Sequence, residues 1–133
     1  MNLYLDASAL VKRYVAEPES KLIRDAMDDA KGWFICRAGY VETVRAVGLA
    51  AGKTAAKTVS DEWPMFGVIE IDQRLVEDAS VLAIDRALRS LDAMHLAAAL
   101  VLPREDLLFA TWDRRLHKAA GRAGLRLIPE TLA

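Results

Sequence analysis

Asn2-Leu3-Tyr4-Leu5-Asp6-Ala7-Ser8-Ala9-Leu10 decides the fold. A short apolar run meets a carboxylate, and Leu10, Val11, Tyr14 and Val15 then follow at helical spacing, which reads as strand, acid, helix. The same alternation continues along the chain. Residues 33–36, 68–71, 107–111 and 125–128 read as four further strands. Pro18 suits the first turn of a second helix with Leu22, Ile23, Ala26 and Met27 on one face. A third helix begins at Gly39 and closes at Gly52, and a fourth fills 53–63 up to Pro64. Asp72 is placed to cap a fifth, Ser90 a sixth that stops before Pro103, and residues 113–123 form a seventh closed by Gly124. Strands separated by helices call for parallel pairing, because parallel neighbours need crossover connections. The expected class is α/β, a three-layer α/β/α sandwich over a five-stranded, mainly parallel sheet. In such sheets ligands bind beyond the carboxyl ends of the strands, where strand order reverses.

The 133 residues, 53% of them hydrophobic, suit one domain spanning residues 1–133. No apolar run reaches the ~18 residues of a membrane helix. The start lacks a basic and apolar leader, so the expected location is cytoplasmic. Cys36, the single cysteine, sits in the apolar run Trp33-Phe34-Ile35-Cys36 and reads as a small buried hydrophobe. Net charge is -1, so a polyanion would have to be met locally. Between Asp113 and Arg126 lie five basic side chains against one acid, and Arg114, Arg115 and Lys118 are the candidate substrate contacts.

Four acids are candidates for chemistry. Asp6 directly follows the first strand, and Asp113 follows the fourth; each also has a structural use at a helix start, as does Asp92 two residues after Ser90. Ser8 offers a second cap beside Asp6. Glu42 differs, lying in a mostly apolar helix with Tyr40, Val41 and Val44 around it, although it could face Arg45. Asp72 reads as a cap alone. If the carboxylates gather at one edge, each close pair repels by ~4 kcal/mol at an effective dielectric near 20, and a cation must compensate. A hard divalent ion, Mg²⁺ or Mn²⁺, suits oxygen ligands and phosphate chemistry. His95, three residues after Asp92, reads as lying at the core edge or behind the acids, and His117, among basic neighbours, as solvent-facing. No nucleophile elbow or phosphate-cradling glycine loop is present.

Leu3-Tyr4-Leu5-Asp6-Ala7-Ser8-Ala9-Leu10, Glu42, Leu91-Asp92-Ala93-Met94-His95-Leu96-Ala97 and Thr111-Trp112-Asp113-Arg114-Arg115-Leu116 together resemble the PIN-domain family, and within it the VapC-type toxins. The resemblance runs nearly end to end. It implies that Asp6, Glu42, Asp92 and Asp113 are the catalytic acids that hold Mg²⁺ or Mn²⁺, supported by Ser8 and Thr111. It implies that the first and fourth strands are neighbours, with Asp72 on an edge strand away from the site. It further implies a ribonuclease of structured RNA such as tRNA or rRNA, a homodimer, and a cognate VapB-type antitoxin. The helices around 10–15 and 22–27 are candidate surface for that antitoxin. Some relatives carry a further acid near the fourth carboxylate, where this chain has Arg114, Arg115, Leu116 and His117, so metal count stays open.

Two other readings keep the acids and change the activity. A non-cleaving PIN-like module would bind RNA or protein without making product. A receiver-like phosphoacceptor pocket would also bind Mg²⁺, but no lysine follows the last strand to complete it.

Overall fold

The computed structural model describes residues 1–133. Five strands, β1 (Asn2–Leu5), β2 (Trp33–Cys36), β3 (Phe66–Ile69), β4 (Leu107–Ala110) and β5 (Arg126–Ile128), form one sheet in the order β3-β2-β1-β4-β5. Every pairing is parallel. Seven helices connect them: α1 (Ala7–Tyr14), α2 (Ser20–Asp29), α3 (Ala38–Ala51), α4 (Lys53–Glu62), α5 (Gln73–Asp85), α6 (Ser90–Ala99) and α7 (Arg114–Arg122).

Side-chain alternation along the strands explains the three layers. Leu3 and Leu5 of β1 face one side with Ile35 and Ala110, where Leu10 of α1 and Ile23 and Met27 of α2 cover them. Tyr4 faces the other side with Cys36 and Phe109, beneath Leu75 of α5, Leu96 of α6 and Leu116 of α7. A period of two in the strand thus feeds two separate cores, while α3 and α4 join α1 through Val47, Val59 and Val11. Full burial of Leu3, Tyr4 and Leu5 makes β1 the central strand, as its position in the sheet requires.

Several local expectations change. Pro18 lies in the turn before α2, which starts at Ser20 after Glu19 in a left-handed conformation. The third strand begins at Phe66 rather than Val68, because Phe66 pairs with Trp33 and packs on Trp33 and Trp63. Gly67 beside Phe34 is compatible with this register, since an added Cβ would crowd that ring. Ser90 is the first residue of α6 and makes no cap hydrogen bond; Arg89 is the capping residue by position. Asp72 caps α5 through the Leu75 amide, at the edge strand as expected. His117 is buried, not solvent-facing, and its Nε2 bonds the Pro129 carbonyl at 2.7 Å. The apolar residues of α1 and α2 proposed as antitoxin surface are mostly core: Leu10, Val11, Ile23 and Met27 are buried. Leu22 of α2 stays exposed, and other exposed apolar side chains include Val81, Ile84 and Val101. No helix is long and apolar enough to cross a membrane.

Candidate active site

Strand order reverses between β1 and β4, and both strands deliver an acid to the same edge. The Asp6 amide continues the ladder by donating to the Ala110 carbonyl, and the chain then turns into α1. Asp6 is 4% exposed, and its carboxylate is held from three directions. Oδ1 accepts from the Ser8 hydroxyl at 2.7 Å and from the Ala9 amide at 3.0 Å, while Oδ2 accepts from the Thr111 hydroxyl at 2.6 Å. Asp6 is therefore the cap of α1, and Ser8 braces it rather than capping in its place. Burial raises the Asp6 pKa, opposed by His95 and by the three donors.

β4 supplies the other half. Thr111 is fully buried, and its hydroxyl oxygen also accepts the Asp113 amide at 3.1 Å. Ser8 Oγ accepts the Trp112 amide at 2.9 Å. Two hydroxyls thus lock the loops after β1 and β4 together around one carboxylate. Asp113 caps α7 through the Leu116 amide with Oδ1, which leaves Oδ2 to face Arg89.

Arg89 was not singled out by sequence reasoning. Its Nη2 donates to Asp113 Oδ2 at 3.1 Å and its Nε to Asp92 Oδ2 at 3.4 Å, so one guanidinium spans the acids of α6 and α7. Burial raises the Asp92 pKa, with the negative charge of Asp113 next and Arg89 opposing both. The expected repulsion is present, and the chain's own cation partly offsets it. Spacing to Asp92 was visible in the sequence; spacing to Asp113, 24 positions away, depends on the sheet order.

Glu42 neither faces solvent freely nor turns to Arg45. His95, 1% exposed, donates from Nε2 to Glu42 Oε1 at 2.7 Å. Behind the ring, Nδ1 lies 2.8 Å from the Tyr4 hydroxyl and 3.6 Å from Cys36 Sγ, and the Cys36 amide donates to that hydroxyl at 3.1 Å. Because a carboxylate only accepts, Nε2 carries hydrogen toward Glu42 in either charge state of the ring. Close approach of α3 to β2 brings Glu42 within reach: at Gly39 an added Cβ would collide with Ile35. The sequence placed His95 correctly behind the acids but gave no sign that Tyr4 and Cys36 anchor it.

The donor set fits a hard divalent ion. Asp6, Glu42, Asp92 and Asp113 offer only oxygen, and a cationic group already lies against two of them. No three of the chain's acids, histidines and cysteine lie close enough together to hold a metal ion by direct contact. Mg²⁺ does not require three such contacts, since it keeps several waters, through which carboxylates that do not touch the ion can still hold it. Arg114 and Arg115 line a cleft beside Asp113 with Arg89 and Trp112, and Lys118 lies farther along α7.

Comparisons agree with this architecture. The model of the PIN domain matches residues 3–122. Ribonuclease VapC45 of Mycobacterium tuberculosis is 36% identical, with 98% of this chain and 96% of the relative covered. Ribonuclease VapC46 of the same species is 32% identical over 95% of each chain. Among solved structures, M. tuberculosis VapC20, described as a Sarcin-Ricin loop cleaving toxin, superposes with a TM-score of 0.76 at 14% identity, covering 98% of this chain and 99% of that one. A toxin-antitoxin complex from Klebsiella pneumoniae gives 0.74 at 18% identity, with 98% and 99% covered. Five parallel strands with acids at the β1–β4 edge, a matching domain model and end-to-end VapC relatives place this chain in the PIN-domain family, among its VapC-type members.

Proposed function

We propose that the chain is a metal-dependent endoribonuclease, the toxin of a toxin-antitoxin pair, that hydrolyses phosphodiester bonds of structured RNA such as tRNA or rRNA. The observation that carries this reading is the meeting of Asp6, Thr111 and Asp113 at the strand-order reversal, with Asp92 tied to Asp113 through Arg89. Relatives named ribonuclease, at 36% and 32% identity over nearly full length, support the activity.

Asp6, Glu42, Asp92 and Asp113 would hold the Mg²⁺ or Mn²⁺. When bound, that ion supplies Lewis-acid polarisation of the phosphate and makes a neighbouring water more acidic. The chain's own residues do the rest. Ser8 and Thr111 fix both oxygens of Asp6, so this carboxylate needs little rearrangement to bind. His95 fixes Glu42 Oε1 and leaves Oε2 without a protein partner, available to take a proton from an attacking water. The water oxygen bonds to phosphorus as the bond to the leaving oxygen breaks. Arg114, Arg115 and Lys118 would position the RNA backbone.

The antitoxin is expected to be VapB-type, a reading supported by the fold shared with the Klebsiella toxin-antitoxin complex. A homodimer and a cytoplasmic location complete the proposal. Exposed Val81, Ile84 and Val101 provide apolar surface for a protein partner.

Incubation of the purified chain with RNA and Mg²⁺ or Mn²⁺, with and without chelator, tests the activity. Chelator-sensitive cutting is expected. Salt-dependent RNA binding without product under either ion would favour a non-cleaving module instead.

A further inference from the structure

The turn joining α5 to α6 packs beside α7, and the two enclose an open groove of about 490 Å³. Arg86 lines it from the turn, and Arg115, Lys118 and Arg122 line it from α7, with Asp85 the one acid. All four cations are exposed and none is paired with a carboxylate. Elsewhere Arg13, Arg37, Arg74 and Arg89 each meet an acid. Four cations gathered around a single acid repel one another, and a polyanion relieves that repulsion.

Geometry favours a strand of regular charge. Positions 115, 118 and 122 are three and four residues apart and therefore share one face of α7. At 1.5 Å per residue they span ~10 Å, room for two or three backbone phosphates at ~3.4 Å each along a strand axis. The turn that carries Arg86 is fixed by its backbone: the Leu88 amide donates to the Ala83 carbonyl and the Ala87 amide to the Ile84 carbonyl, with Ala87 in a left-handed conformation. Such a closed helix end presents Arg86 from a defined position. Arg115 also lines the cleft beside Asp113, so the groove and the carboxylate edge are neighbours that share this side chain.

We propose that this groove binds the RNA strand flanking the cleaved bond, with Arg86 and Arg122 as backbone-phosphate contacts. The assignment rests on the nuclease reading above and extends it to residues outside the carboxylate edge.

Binding of a fluorescein-labelled single-stranded RNA of ~20 nucleotides, followed by anisotropy across a salt series without divalent ion, tests it. The variants are Arg86→Gln, Arg122→Gln and their combination, with Arg24→Gln as a control for an exposed, unpaired charge elsewhere. The expected result is several-fold weaker binding by each groove variant, unchanged binding by the control, and a double-variant plot of log K against log salt shallower by about 1.4. Equal weakening by Arg24→Gln would reduce the effect to net charge and overturn the proposal. So would groove variants that bind like the unsubstituted protein, or displacement of RNA from the groove by polyglutamate at equal charge concentration. RNA that the unsubstituted protein cuts while Arg86 and Arg122 prove irrelevant would refute the groove alone. An unsubstituted protein that neither binds nor cuts RNA would refute the nuclease reading and the groove with it.

Discussion

Asp6 has both carboxylate oxygens engaged by its own chain, and that fact sets what single residues should do. Removing the Thr111 hydroxyl with Thr111→Val strips Oδ2 of its donor and the Asp113 amide of its acceptor while keeping the side chain's shape. Losses of such supporting contacts typically cost ~10–100-fold in metal affinity or activity, so RNA cleavage by Thr111→Val should fall by that amount with the fold retained. The Tyr4–His95–Glu42 chain gives a sharper case. Tyr4→Phe keeps the ring stacked 5.3 Å from Phe109 and deletes the hydroxyl that holds His95 Nδ1. If that hydroxyl acts through Glu42, Tyr4→Phe lowers kcat in the native background and has no further effect in Glu42→Gln. Additive losses in the cycle would mean that the Tyr4 hydroxyl acts independently of Glu42. Asp6, Asp92 and Asp113 stood out in the sequence at strand ends and helix starts, Glu42 by its apolar surroundings, and Ser8 and Thr111 through the family resemblance. Arg89 was not, because its second partner comes from another strand's loop.

At the scale of elements, the site depends on α1 and α3 holding their angles to β1 and β2. α4 fastens α1 through Glu62, which accepts from Arg13 Nε at 3.0 Å, Arg13 Nη2 at 3.2 Å and the Tyr14 hydroxyl at 2.7 Å. The Arg13 hydrogen bonds lower the Glu62 pKa from its ordinary 4.5, against a smaller opposing effect of burial. A carboxylate with a depressed folded-state pKa contributes stability above its unfolded value and loses it as pH falls through the folded one. Glu62→Gln should therefore lower the thermal midpoint at neutral pH and bring it level with the unsubstituted protein in acid well below pH 4.5, as calorimetry would show. A Tm deficit that persists unchanged into acid would place the effect in packing instead. Element order and type were readable from periodicity, since strands 2–5 and 33–36 fall where expected. The start of β3 was not, because Phe66 and Gly67 lack the β-branched signature and are fixed by pairing with Trp33 and Phe34. Ser90 misled for a related reason: a residue with capping chemistry stands one position inside the helix.

For the whole molecule, a nearly neutral chain divides its charge, with acids at the end of the central strands and unpaired cations along α7. Chain-wide composition hid this division, because folding separates groups that the sequence averages. The layered fold could be read from five alternations of strand and helix, whereas the coupling of Asp92 to Asp113 needed the sheet order. That coupling makes Asp92 the most direct test of the site. RNA cleavage by Asp92→Asn, run beside the native chain with Mn²⁺ after circular dichroism has shown equal folding, should be lost at every ion concentration. Cleavage by Asp92→Asn at the native rate would contradict a carboxylate-held metal site and the function built on it.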